Sequence, residues 1–185
     1  MDKLSVCNSA LMRCGAEPIV TLLDESKRAK AVTAQFENTL KEMLNDSPWN
    51  FTIKRVILEE DSEIPLFLFT HRFKLPIDCI RVLELEDKVP YRVESGYIVC
   101  DTATSINIKY CYYNTDVTTY SGAFTKALVL KLAEDISYLL VQSASLQGAI
   151  TTEAERYLRK ARSMNSQEGS PEARYPEEFT AGIRR

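Results

Sequence analysis

Apolar residues recur at intervals of three and four near both ends of the chain and at intervals of two in its middle, and that change of period divides it. Leu4, Cys7, Leu11 and Cys14 line one face of a helix predicted over residues 3 to 14, and Gly15 stands where a helix-ending glycine belongs. Residues 16 to 23 hold Pro18 and the run Ile19, Val20, Leu22 and Leu23, a packed connector, with Asp24 as the expected N-cap of the next helix. From residue 25 to 44, Ala29, Val32, Phe36, Leu40 and Met43 form a second stripe, with Lys27, Arg28, Lys30, Glu37 and Lys41 around the other side. Asn45, Asp46 and Ser47 are poor helix-interior residues, and Pro48 disfavours the helical conformation at Ser47, so this helix stops there. Trp49 and Phe51 then alternate around Asn50 as an entering strand would, two large rings placed to anchor a sheet against the helices.

In the middle of the chain the period is two. Phe51, Ile53, Arg55 and Ile57 share one predicted strand face and Thr52, Lys54, Val56 and Leu58 the other, until Glu59, Glu60 and Asp61 interrupt as a charged turn. A short apolar run over 66–69 follows Pro65; Phe73, Leu75 and residues 79–85 resume extended character, with β-branched Ile80 and Val82. Residues 91–93 and 97–99 read as a small hairpin about Gly96. The strict alternation of Ile106, Ile108, Tyr110 and Tyr112 with Asn107, Lys109, Cys111 and Tyr113 makes the clearest strand.

Helical spacing returns at Gly122, opening a segment that is apolar nearly all round and therefore central, with Glu134 and Asp135 either on its one exposed stripe or paired with a lysine. Gly148 is expected to end it, and Thr152 with Glu155 reads as a capping box for a fourth helix. That helix puts Ala154, Tyr157, Leu158 and Ala161 on its apolar face and Arg156, Arg159, Lys160 and Arg162 on the other. From residue 165 onward prolines and glycines replace aliphatics, so the end of the chain cannot build a core, yet Tyr175, Phe179 and Ile183 recur every four residues, either as spaced anchors for a partner or as part of an inert frayed end. The fold class expected is α+β: a bundle of about four helices over 1–48 and 121–165, an inserted antiparallel β region over 49–120, and an extended C-terminal tail over 166–185.

Composition narrows the function. With 185 residues, 45 % of them hydrophobic, the chain suits one good core carrying an insertion. A net charge of −3 argues against overall attraction to nucleic acid or an anionic membrane and leaves only local basic faces. The five cysteines are scattered and never form a CxxC pair, so no disulfide framework is expected. No apolar run approaches the roughly 20 residues of a membrane span, and the N-terminus lacks a secretory apolar region, which points to a cytosol-like compartment.

Reaction chemistry finds few parts. His71 is the sole histidine, which excludes paired-histidine metal sites, and no two cysteines are close enough for a zinc pattern. With six glycines and no glycine-rich phosphate loop, nucleotide binding has no support. Cys7 and Cys14 share a buried helix face as packing thiols. No metal, cofactor or catalytic residue is expected, and the protein is read as a non-enzyme. Two rival readings stay open: a nucleic-acid-binding module using the basic face of the last helix, and a small hydrolase around His71 with an acidic partner.

The order of the signals also carries a resemblance. CNSALMRCGAEPIVTLLDES, LKEMLNDSPWNFTIKRVIL, FKLPIDCIRVLEL, VESGYIVCD and ERYLRKAR follow one another at suitable distances. Over about residues 4 to 165 they resemble the head-to-tail adaptor, or tail tubular, proteins of short-tailed bacteriophages. The tail beyond Ser166 and the segment 61–70 depart from that pattern. The resemblance implies a structural virion protein of the tail or neck, assembled in the host cytoplasm. Its subunits would form a homo-oligomeric, dodecameric ring beneath the portal protein, extend the channel through which double-stranded DNA passes without sequence-specific binding, and offer a platform to distal nozzle and fibre proteins, with no membrane involved. Residue roles expected from it are Tyr175, Phe179, Arg184 and Arg185 in a docking tail, and Arg156, Arg159, Lys160 and Arg162 in subunit or portal contacts.

Overall fold

A computed structural model of the chain describes residues 1–102 and 104–168. The helices are α1 (Lys3–Arg13), α2 (Lys27–Asp46), α3 (Gly122–Val141) and α4 (Ala144–Gln167); six strands lie between α2 and α3. They are β1 (Ile53–Glu59), β2 (His71–Lys74), β3 (Cys79–Leu85), β4 (Tyr91–Glu94), β5 (Tyr97–Cys100) and β6 (Ser105–Tyr112). The architecture is α+β, a helical body with an antiparallel β insertion.

α3 is the axis of the helical body and packs against α1, α2 and α4. Its all-round apolarity is thereby explained: Phe124, Leu128, Leu130, Leu132 and Ala133 are buried on different sides of it. Glu134 and Asp135 are ion-paired with Lys131, at 3.3 and 3.8 Å, and Asp135 also accepts a 2.6 Å hydrogen bond from the Thr39 hydroxyl of α2. This buried-edge seam fixes the register of α2 on α3. Asn8 of α1 exchanges two hydrogen bonds with the Ile19 backbone, 2.8 and 2.9 Å, which ties the connector down.

The helix ends refine the expectations. α2 begins after Ser26, whose hydroxyl accepts from the Ala29 amide, rather than after Asp24, whose carboxylate instead accepts from the Ser26 amide at 2.8 Å. Its stop before Pro48 stands: Ser47 is fully extended, with φ −147° and ψ 151°. The break between α3 and α4 lies earlier than Gly148. α3 closes on Gln142 in the left-handed conformation, and Ser143 caps α4 through the Leu146 amide. Gly148 is therefore inside α4, and Thr152 donates back to the Gly148 carbonyl at 2.9 Å instead of capping a helix. A glycine alone does not end a helix when a serine cap upstream has already started the next one.

The insertion is two three-stranded sheets, ordered β1-β6-β3 and β2-β5-β4. Their inner faces share one apolar core, including Leu58, Phe73, Leu85, Ile98, Cys100, Ile106 and Ile108. The face of β1 that carries Val56 and Leu58 turns inward, which leaves Ile57 on the outside. β4 and β5 form the expected hairpin, with Ser95 and Gly96 both at positive φ, the turn geometry that matches strand twist. The acidic group at the end of β1 is more than a charged turn: Glu60 bridges to Phe73 by backbone and to His71 by side chain, and Asp61 holds Arg72.

Trp49 differs from its expected strand role. Asn50–Thr52 is a turn of 3₁₀ helix and not an entering strand, and the Trp49 and Phe51 rings stack with centroids 6.2 Å apart. Both rings join Tyr120 and Phe124 in an aromatic cluster, with Trp49 edge-on to Phe124 at 4.8 Å and Phe51 edge-on to it at 4.8 Å. The Trp49 indole N–H donates to the Met43 carbonyl at 2.8 Å, satisfying an orphan acceptor in the last turn of α2. The rings anchor the insertion to the helices from the helical side.

Candidate functional site

The basic side of α4 is placed by the opposite, apolar side of the same helix, where Ile150, Ala154 and Ala161 are buried. Arg156, Arg159 and Lys160 are exposed along it. The Tyr157 ring gathers three cations: the Arg156 guanidinium at 5.3 Å, Lys126 of α3 at 5.6 Å and Lys160 at 6.0 Å. Arg162 does something else. Its guanidinium holds both carboxylate oxygens of Asp46, with Nε to Oδ2 at 2.8 Å, so it fastens α4 to the end of α2.

One turn further on, Asn165 completes that fastening. Its side-chain oxygen accepts from the Asn50 amide at 2.8 Å, its side-chain N–H donates to the Pro48 carbonyl at 3.1 Å, and its own carbonyl accepts from Asn50 Nδ2 at 2.8 Å. The passage from α2 into the insertion is thus held by the end of the last helix. On the return side Asn114 does the equivalent: buried, it donates to the Phe51 carbonyl and to Thr119, while the Tyr120 hydroxyl donates to its backbone at 2.6 Å. Asn165 and Asn114 carry no distinguishing sequence signal, because asparagine is common at helix ends and in turns.

Two groups of exposed apolar side chains lie far apart. Thr39 meets Asp135 in the middle of α3 and Trp49 meets Phe124 near its start, so α2 and α3 run antiparallel; α4 follows α3 through a tight turn and ends at Pro48. The end of the body remote from the insertion therefore collects the start of α2 and the end of α3, where Val20, Leu23, Tyr138, Leu139 and Val141 are exposed. The second group is the loop 64–69 between β1 and β2, with Ile64, Leu66, Phe67 and Leu68 in water. The sequence offered no means of orienting that loop, since an unbroken apolar run reads equally well as a buried strand.

His71 Nδ1 lies 2.6 Å from Glu60 Oε1, and Cys100, its ladder partner, is fully buried. Burial raises the thiols of Cys7, Cys14 and Cys79, each to about 11, which suits packing rather than attack. Among the described residues no group of three or more histidines, cysteines and carboxylates could hold a metal ion, and no helix is long and apolar enough to cross a membrane. Tyr175, Phe179, Arg184 and Arg185 lie outside the described residues. No protein-family profile and no curated protein matches the chain.

Proposed function

We propose that the protein is a head-to-tail adaptor of a short-tailed phage virion: a structural ring subunit that joins the portal to the distal tail and extends the DNA channel between them. The observation that carries this reading is the separation of its two exposed apolar groups, one at the remote end of the helical body and one on the insertion. Exposed apolar side chains gathered in this way suit contacts with other molecules, and two separated groups let one subunit hold two neighbours at once. The order of helices and insertion agrees with the architecture that the resemblance implies, and the clamps at Asn165 and Asn114 give a connector the stiffness to transmit position. In this reading Arg156, Arg159 and Lys160 face a neighbouring subunit or the portal, Arg162 keeps the body in shape, and Tyr175, Phe179, Arg184 and Arg185 form the docking tail.

Negative-stain microscopy of the chain mixed with portal tests it: rings seated under the portal are expected, and a chain that ignores the portal sinks the reading. The cations around Tyr157 favour a second reading, contact with nucleic-acid phosphates. Its signature is DNA binding without portal that weakens steeply with salt and is lost on reversing Arg156 and Lys160 to glutamate.

A further inference from the structure

A groove of about 610 Å³ opens on the helical body between α1 and the opening turns of α3. Met12 of α1, Val117 and Tyr120 of the turn that leads into α3, and Val129 of α3 give it an apolar lining; its charged lining residues are Arg13 and Lys126, and among the described residues no carboxylate joins them. Met12 is 58 % exposed there. α4 runs along one side: Glu153 reaches Arg13 at 3.5 Å, and Lys126 lies over the Tyr157 ring at 5.6 Å. Among the described residues Lys126 has no carboxylate within ion-pairing distance, so its charge is open to one from elsewhere.

The end of α4 lies close by. Asn50 donates to the Glu168 carboxylate at 3.3 Å, and Phe51, the next residue, has its ring 5.0 Å from that of Tyr120 in the groove. The chain beyond Glu168 therefore sets out from beside the groove. At about 3.3–3.6 Å per extended residue, the stretch from Glu168 to Tyr175 reaches up to about 25 Å. The sequence that follows matches the groove in shape and in sign. Tyr175, Phe179 and Ile183 stand four apart, the spacing of one helical face, and Pro176, Glu177 and Glu178 are residue types favoured in a first helical turn. As a helix, 175–183 would be about 12 Å long, close to the roughly 10 Å that α3 presents to the groove from Gly122 to Val129. Glu172, Glu177 and Glu178 against Arg174 leave residues 169–183 acidic, opposite in sign to Arg13 and Lys126.

We propose that the segment 175–183 packs into this groove of its own chain, with Phe179 beside Met12 and with Glu177 and Glu178 toward Lys126. A short tether holds a segment at roughly millimolar effective concentration, which favours the chain's own segment over that of a second copy. The docking does not rest on the adaptor reading. Within that reading it covers the anchors Tyr175 and Phe179 until a portal takes them.

Paramagnetic broadening on the full chain tests the docking. A nitroxide is attached at Ala181→Cys, the native cysteines being buried or half-buried, and amide signals are followed by NMR. The signals of Arg13, Thr125 and Lys126 should be lost, those of Lys27 and Arg28 at the far start of α2 should stay, and reducing the nitroxide should restore the lost ones. Met12→Asp and Phe179→Asp should each restore them as well, and because Met12 stands in water the rest of the spectrum should not change. A mixture of nitroxide-bearing chain with isotope-labelled chain lacking it should keep every signal. The proposal is overturned if the groove signals survive the nitroxide, if their loss persists in either variant, or if they are lost in the mixture, which would give the groove the segment of a second copy. Groove signals that survive in a chain that seats on the portal would remove the docking and leave the adaptor reading standing. A docked segment on a chain that ignores the portal would do the reverse.

Discussion

Trp49 is the residue on which the two parts of the molecule depend most. It is fully buried, stacks beside Phe51, meets Phe124 edge-on and ends the α2 helix with its indole N–H. Trp49→Ala should therefore cost about 3–5 kcal/mol in urea unfolding, from lost packing and an opened cavity. At the same scale, burial raises several acids that are neutral in the folded protein. Tyr110 and Tyr113 are pushed up to about 12, Cys7 and Cys14 to about 11, and Tyr120, whose hydroxyl is spent on the Asn114 carbonyl, is raised further. A folded pKa above the unfolded one means stability fully present below the unfolded value and lost as pH rises through the folded value. Thermal stability should thus hold to about pH 9 and fall steeply between pH 9 and 12, and Tyr120→Phe should soften that fall.

At the scale of elements, the α3–α4 boundary is the place where sequence pattern and structure part. Gly15, Gly122 and Gly148 look alike as punctuation, yet Gly148 sits in α4 with helical neighbours and open space where a Cβ would point. Gly148→Ala should raise stability by roughly 0.5–1 kcal/mol, read as a higher melting temperature. A glycine ending a helix in the left-handed conformation would respond with the opposite sign. The last turn of α4 offers a second test. Asn165→Ala removes two hydrogen bonds to residues 48–50. It should cost about 1–2 kcal/mol and speed hydrogen exchange at the Asn50 amide, while Arg162→Ala, whose partner is partly in water, should cost under about 1 kcal/mol.

For the whole molecule, what matters is that the insertion is held at both of its roots by the helical body. Asn165 grips the outgoing strand and Asn114 the returning one, with Tyr113 donating to Glu37 of α2 at 2.8 Å beside them. A chain so fastened can carry load from one end to the other, which the proposed adaptor role requires. Removing the residues after Ser166 should reduce binding to the portal in pull-down. Undiminished binding would free the tail of its assigned role.

The sequence by itself determined the periods, and with them the α+β class, the place of the insertion, the central position of α3 and the stop at Pro48. Each of these follows from a local rule: helical or alternating spacing, or the steric demand of one proline. It left Glu134 and Asp135 either on an exposed stripe or paired with a lysine, and the structure pairs both with Lys131, three and four residues before them. What only the tertiary structure decided depends on groups distant in sequence meeting in space. Trp49 turned from a strand residue into the centre of an aromatic cluster because Phe124, 75 positions on, lies against it. Arg162 became a clamp because Asp46 lies opposite, and the apolar run 66–69 became a surface because its flanking residues already cover the sheet beneath. The chain announces which residues are apolar, but whether an apolar residue ends inside or outside is settled by which neighbours have filled the interior first.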